Sequence, residues 1–333
     1  MKMGQMMLPL LVLFLSPIAA KAQGEEPLKL EKSIELPEVV GRIDHMSIDV
    51  KGQRLFVSAL GNNTVEIIDL NAGKGVKTIS GLREPQGTLF VPSNSRLFVA
   101  SGQDGTVKIY YSNSSQLLKK VEYGDDADNL RYDSSRNRVY VGYGSGGLGE
   151  LNAEGQKVAE IQLGSHPESF QLEKNSPRIY VNLPKARKVV VVDREARSVT
   201  ASWNTGLSLA NYAMALDETN GRLFVVTRIP ARLLVIDTGS GKTIQTLSVV
   251  GDCDDIFYDQ RRKRVYAIGG EGAISVLQQI DPDHYQEIAR VPTAKGARTG
   301  FFSPDLDRLY LGVRRQDSKS AMIQVFKISG QHE

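Results

Sequence analysis

Apolar residues in this chain fall into short runs rather than helical stripes. The clearest runs begin at an arginine and contain an aromatic: "RLFV" at Arg54 and Arg96, "RVYV" at Arg138, "RIYV" at Arg178, "RLFV" at Arg222, "RVYA" at Arg264 and "RLYL" at Arg308. The steps between these arginines are 42, 42, 40, 44, 42 and 44 residues. Seven copies at a nearly fixed period identify a repeat architecture.

Each copy carries more than its arginine. Five residues earlier stands a mostly acidic position, Asp49, Asp133, Glu173, Asp217 or Asp259, with Val91 and Ser303 in the other two copies. Turn formers such as "KGQ" and "ETNG" lie between, so the acid is expected to cap a β-hairpin turn. A short segment such as "HMSID" or "YAMALD" precedes the turn, and segments such as "TVEIIDL" and then "VKTIS" follow the arginine run. Four strands in about 42 residues match one propeller blade. The second and third strands are apolar on successive residues, as in "RLFVV" and "LLVID", which requires both faces to be covered. The fourth alternates, as an outer strand should. The predicted fold is therefore all-β, a seven-bladed β-propeller of four-stranded antiparallel blades, with blade one starting near Arg42. After Arg308 only one more strand, "AMIQVFKI", remains, while "LKLEKSIEL" at 28–36 has no blade of its own. The two are expected to pair antiparallel and close the ring between the chain ends.

The stretches "LFVSALGNNTVEIIDL" (55–70) and "LFVASGQDGTVKIY" (97–110) resemble the repeat of the YVTN-type β-propeller proteins, in which a Tyr-Val-Thr-Asn element precedes a Gly/Asn loop and a Val-x-Val-Ile-Asp strand. The resemblance extends over nearly the whole mature chain. It implies an exported or surface protein that serves as a binding scaffold.

The N-terminus changes the compartment expected. Lys2 precedes the apolar run "LPLLVLFLSPIAA" at 8–20, and Ala20-Lys21-Ala22 has the small-x-small spacing read by signal peptidase. The run is short for a membrane span and broken by Pro9 and Pro17. Residues 1–22 are read as a cleaved signal peptide and 23–333 as one domain, periplasmic or secreted. Losing Lys2 and Lys21 takes the basic residues from 41 to 39, against 38 acidic ones. That balance calls for neither nucleic acid nor an anionic membrane, and a monomer is expected. Cys253 is the only cysteine, which excludes an intrachain disulfide; stability has to come from burial.

Candidate chemistry belongs where the first strand of each blade begins, because those ends ring the channel on the face that also carries the loops between second and third strands. Ten residues before each arginine stand Asp44, Gln86, Asp128, Glu168, Tyr212, Asp254 and Arg298; nine before stand His45, Gly87, Asn129, Ser169, Ala213, Asp255 and Thr299. One further in, the set turns mostly apolar. We expect Asp44, His45, Asp128, Asn129, Glu168, Asp254 and Asp255 to line an acidic mouth with Arg42, Tyr212 and Arg298 on its rim. The loops "LPKARK", "TRIPAR" and "VRRQDSK" add Lys185, Arg187, Arg228, Arg232, Arg314 and Arg315, a basic arc suited to a partner.

Three functions fit such a ring. The first is recognition of a small ligand or partner protein without catalysis. The second is a divalent-metal-dependent hydrolase resembling the propeller lactonases, with Asp128, Glu168, Asp254 and Asp255 as hard ligands, and His45 and His166 near, suited to Ca²⁺ more than Zn²⁺. The third, a quinoprotein, is disfavoured because Trp203 and Cys253 are each the only residue of their kind. Cys253 lies among Asp252, Asp254 and Asp255, which would raise its pKa rather than activate it, and His166, before Pro167, is read as a turn residue. If the signal reading holds, Edman sequencing of protein recovered from its native host begins at Gln23; Met1 retained in a membrane fraction would refute it.

Overall fold

The computed structural model describes residues 26–330 apart from Ser145; the signal expected over 1–22 lies outside the described residues. Seven four-stranded antiparallel sheets form a ring. Blade one runs Met46–Asp49, Arg54–Ala59, Thr64–Asp69 and Lys74–Ile79 from the channel outwards, and blades two to six repeat that order. Blade seven is composite. Gly300–Ser303, Arg308–Val313 and Ala321–Ile328 come from the C-terminus, and Leu28–Leu36 supplies the outer strand. The pairing is antiparallel from Leu28 opposite Ile328 to Leu36 opposite Ala321, with one register shift between Leu30 and Lys32, so the expected closure is observed.

The doubly apolar strands are explained by where alternate residues go. Successive side chains of a strand point to opposite faces, and here each face meets a neighbouring blade. Leu55 and Val57 pack with Tyr310 between blades seven and one, whereas Phe56 packs with Leu97 and Val99 between blades one and two. Among the described residues the buried apolar side chains form seven clusters, one at each junction between blades. The aromatic two residues after each repeat arginine, Phe56, Phe98, Tyr140, Tyr180, Phe224, Tyr266 and Tyr310, is at most 3% exposed. Burying each ring contributes roughly 2–3 kcal/mol.

The hairpin acids act as the sequence suggests. Asp49 Oδ1 accepts from the Gly52 amide at 2.8 Å, Asp217 from Asn220 at 3.2 Å and Asp259 from Arg261 at 3.0 Å. The repeat arginine has a second role that the period alone did not show. Arg54, Arg96, Arg178 and Arg264 donate through Nη1 to the carbonyls of Ser112, Ala153, Thr238 and Ser329, at 2.9, 3.1, 3.0 and 2.6 Å. Each acceptor follows the third strand of the next blade. Arg222 reaches the Asp283 carboxylate there instead, at 2.6 Å. Arg138 departs from the pattern and turns to Glu150 of its own blade, with Arg136 reaching Glu195 of the next. Arg308 clasps Glu31 of the closing strand through Nε and Nη2, at 2.6 and 2.9 Å.

Deleting residues 28–36 removes Leu28, Ile34 and Leu36, all nearly fully buried, and exposes the Ala321–Ile328 edge. The expected loss is at least about 5 kcal/mol, from roughly 2 kcal/mol per buried aliphatic side chain, together with self-association at the free edge. An unchanged midpoint in urea unfolding would refute the closure.

Candidate functional site

Backbone pairing continues beyond the assigned start of the first strands and fixes the mouth residues. In blade one Asp44 N donates to Ser58 O and Ser58 N to His45 O; in blade three Asp128 N donates to Gly142 O and Gly142 N to Asn129 O; in blade four Glu168 and Ser169 pair in the same way with Asn182. The residues ten and nine before each repeat arginine are thus held by the ladder itself. Positions ten and twelve before the arginine share a face, which brings Arg42, Asp126, His166 and Asp252 beside Asp44, Asp128, Glu168 and Asp254.

The mouth is not uniformly acidic. Asp254 is surrounded by three guanidinium groups: Arg228 Nη2 at 2.5 Å from Oδ1, and Arg298 Nε and Arg42 Nη2 at 3.0 and 3.6 Å from Oδ2. The Arg298 contact is close but off the line of a hydrogen bond, as is that of Arg42 Nη2 with Asp44 Oδ2 at 2.8 Å. Arg298 also donates to both Asp252 oxygens, at 2.9 and 3.1 Å. Arg42 and Arg298, expected on the rim, therefore point at carboxylates. Arg228, expected in the basic arc, lies with its guanidinium 4.1 Å from the ring centre of Tyr212 and belongs to the mouth. The Arg222–Ile229 strand is longer than the six-residue second strands of most other blades, and this extension carries Arg228 inwards. Lys185, Arg187, Arg232, Arg314 and Arg315 are exposed on the same face. Arg315 donates to Pro37 O; the other four have no carboxylate ion pair among the described residues.

The four carboxylates expected to share a metal do not converge. Asp254 is engaged as above. Asp255 accepts from the Gly300 amide at 2.9 Å and faces His45 Nδ1 at 3.4 Å. The group that does converge is Asp128, Glu168 and His166, whose ligand atoms lie within 4.8 Å of one another. His166 Nδ1 is 2.5 Å from Gly144 O, and its Nε2 lies 3.6 Å from Asp126 and 3.9 Å from Glu168. Asp126 Oδ1 accepts from Gln86 Nε2 at 2.7 Å. His166 was expected near these carboxylates but read as a turn residue and not as a ligand, and Asp126 was not singled out; the i, i+2 face shared with Asp128 and Glu168 was the available signal.

Burial and mutual repulsion set the charge states. Burial, with the Asp128 and Asp254 carboxylates adding to it, pushes Glu168 up to about 9, and burial also raises Asp128. Burial raises Asp44 to about 6 against the pull of His45 and Arg42. Burial alone would depress His45, but the Asp255 and Asp44 carboxylates outweigh it and raise His45 to about 10, so it is an imidazolium at neutral pH. Cys253 is buried and donates to Asp255 O at 3.3 Å; burial and the adjacent aspartates push its thiol well up, consistent with an inert residue.

Below the mouth the channel encloses about 280 Å³, lined by His45, Thr88, Arg131, Gln171, Asp255 and Phe301 among others. Polarity was expected to end at the strand starts, but Arg131 carries it further in. Its guanidinium donates to Leu130 O at 2.9 Å and Asn129 Oδ1 at 3.3 Å and stacks 5.5 Å from the Phe170 ring centre. Burial lowers its pKa.

Comparison with known proteins defines the class. No protein-family model matches the chain, and no curated protein matches it in sequence. Solved structures do. The chain is similar to Kuenenia stuttgartiensis hydrazine synthase, with 16% identity, a TM-score of 0.76 and coverage of 94% of this chain and 100% of that one. It is similar to the RRP9 WD40 repeats at 10% identity and a TM-score of 0.78, covering 90% and 97% of the two chains. A chain of the mitotic checkpoint complex matches at 12% identity and a TM-score of 0.76, covering 97% and 99%. Identities this low establish the fold: a seven-bladed propeller of WD40-like architecture. No described helix is long and apolar enough to cross a membrane.

The His45 pair gives a pH dependence with a definite sign. Its folded pKa of about 10 lies above the ordinary 6.5, so its stabilisation is full below about pH 6.5 and is lost as pH rises through 10. Between pH 7 and 10 the parent is expected to lose about 2 kcal/mol more stability than H45Q, below the full linkage because the imidazole is partly solvated. Parallel urea-unfolding curves for the two across that window would refute the charged assignment.

Proposed function

We propose that this chain is an exported β-propeller of the YVTN type that serves as a scaffold, recognising a small ligand or a partner protein at the channel-mouth face. The observation that carries the reading is the contrast between frame and mouth. The seven blades repeat the same arginine, aromatic and hairpin, yet the strand starts around the opening carry Asp44, Gln86, Asp128, Glu168, Tyr212, Asp254 and Arg298, no blade reproducing its neighbour's pair of mouth residues. A repetitive frame with individual loop-side residues is how repeat proteins present a specific surface. The exposed Lys185, Arg187, Arg232 and Arg314, lacking carboxylate partners among the described residues, favour an acidic group on the bound molecule. One structural neighbour comes from a mitotic checkpoint complex, so propellers of this architecture occur within protein assemblies. Export rests on the leader-like sequence at 1–22 and the YVTN resemblance on the repeat sequence.

A second reading, a divalent-metal-dependent hydrolase, is favoured by one observation, the convergence of Asp128, His166 and Glu168.

The test compares the mature chain with R187E/R232E/R314E on the mouth face and with K51E/K74E, on residues exposed away from it. The binding species is captured from the extracytoplasmic fraction of the native host and then titrated in purified form. The mouth-face variant is expected to bind at least about tenfold more weakly, with K51E/K74E like the parent. Equal binding by all three, or loss only in K51E/K74E, would sink the proposal. Metal-dependent turnover of a lactone or phosphoester by the parent would favour the second reading.

A further inference from the structure

We propose that Asp128, His166 and Glu168 form a site for a divalent transition-metal ion such as Zn²⁺, and not for Ca²⁺, at the channel mouth. The proposal stands apart from the partner-binding reading and does not depend on it. Its first support is convergence: the strand entries of two adjacent blades, three and four, bring one imidazole nitrogen and two carboxylate oxygens within 4.8 Å of one another. Metal–ligand bonds of roughly 2.0–2.2 Å need those atoms to draw together by about an ångström, within reach of side-chain rotation on a fixed ladder.

The second support is the orientation of His166. Nδ1 lies 2.5 Å from the Gly144 carbonyl oxygen, and a carbonyl only accepts, so Nδ1 carries the hydrogen. A backbone carbonyl on one imidazole nitrogen is the usual means of presenting the other to a metal. Nε2 faces the carboxylates of Asp126 and Glu168 at 3.6 and 3.9 Å, too long for a hydrogen bond, which leaves a gap between them.

Asp128 gives the third, independent support. It is 6% exposed, and its carboxylate has neither a hydrogen bond nor an ion pair among the described residues, although one of its oxygens points into the cluster. So little exposure leaves the carboxylate poorly solvated, and a cation would supply the partner that no side chain does. Elsewhere in the mouth the equivalent acids are engaged, Asp254 by Arg228 and Asp255 by the Gly300 amide. Of the acids ten before a repeat arginine, Asp44 and Asp254 meet arginines, whereas Asp128 and Glu168 have none in ion-pair contact among the described residues. Asp126, tied to Gln86, stands beside the imidazole as an outer partner.

The donor set chooses the metal. Ca²⁺ takes six to eight oxygens, whereas one imidazole and two carboxylates suit Zn²⁺, Mn²⁺, Co²⁺ or Ni²⁺. Three protein ligands leave a position open towards the mouth for water or an incoming ligand atom.

The test uses untagged mature protein stripped with a chelator and then dialysed, titrated calorimetrically with Zn²⁺, Co²⁺ and Ca²⁺. One Zn²⁺ or Co²⁺ per chain is expected, without a matching Ca²⁺ isotherm. Affinity should fall at least about 30-fold in H166A and in D128N/E168Q and stay unchanged in D252N, in line with the loss of one or two ligands. No stoichiometric binding, binding unaltered by either variant, or tighter Ca²⁺ than Zn²⁺ would overturn the proposal. Should the variants fail to fold, paramagnetic Co²⁺ added to the parent decides: selective shifting or broadening of the His166 imidazole signals, among only four histidines, supports it, and unperturbed His166 signals overturn it.

Discussion

The strand Leu28–Leu36 lying against Ala321–Ile328 is the constraint on which the rest of the molecule depends. Every other blade is made by hairpins local in sequence, and a row of such blades has two open ends. Pairing residues some 290 positions apart costs loop-closure entropy once, and in return no blade is left without neighbours on both faces. Closure turns seven strand starts into a ring, and only a ring has a mouth. Leu28 and Ile34 show how the strand is held, since one packs towards blade six and the other towards blade one.

Within the ring, the angle between blades is set by apolar packing and by the repeat arginines. Five of the seven, Arg54, Arg96, Arg178, Arg222 and Arg264, span from the second strand of their blade to a carbonyl or carboxylate in the next, and Arg54, Arg178 and Arg222 also meet an acid of their own blade. A guanidinium presents several donors in a fixed fork, so one side chain serves the hairpin and the junction together. These contacts gather near the face opposite the mouth. The mouth is consequently free of repeated structural demands, and its residues differ from blade to blade.

That freedom appears as a division of charge. Blades one, five, six and seven place Arg42, Arg228 and Arg298 against Asp252 and Asp254, an arrangement that satisfies itself. Blades three and four place Asp126, Asp128, His166 and Glu168 together with no arginine in ion-pair contact among the described residues, and burial drives the Glu168 carboxyl towards its neutral form. His45 stays charged between Asp44 of blade one and Asp255 of blade six. Below them Arg131 extends polarity into the channel.

The period, the four strands per blade, the hairpin acids and the closing pair were all legible in the sequence, because each rests on local chemistry: turn residues at fixed offsets and apolar runs at fixed spacing. The composition of the ring was legible too, since the repeat counts residues to the same depth in every blade. Which carboxylates face one another was not. Asp254 and Asp128 occupy the same repeat position, yet Arg228 claims one and no side chain claims the other: blade five carries Arg228 on a strand two residues longer than its counterparts, where the blade before Asp128 has Gly102. The acceptors of the repeat arginines were hidden for the same reason, lying mostly 57 to 65 residues away in the next blade. A repeat specifies what each blade is, but contacts between blades depend on the distance and angle at which two copies pack, and those exist only once the ring has closed.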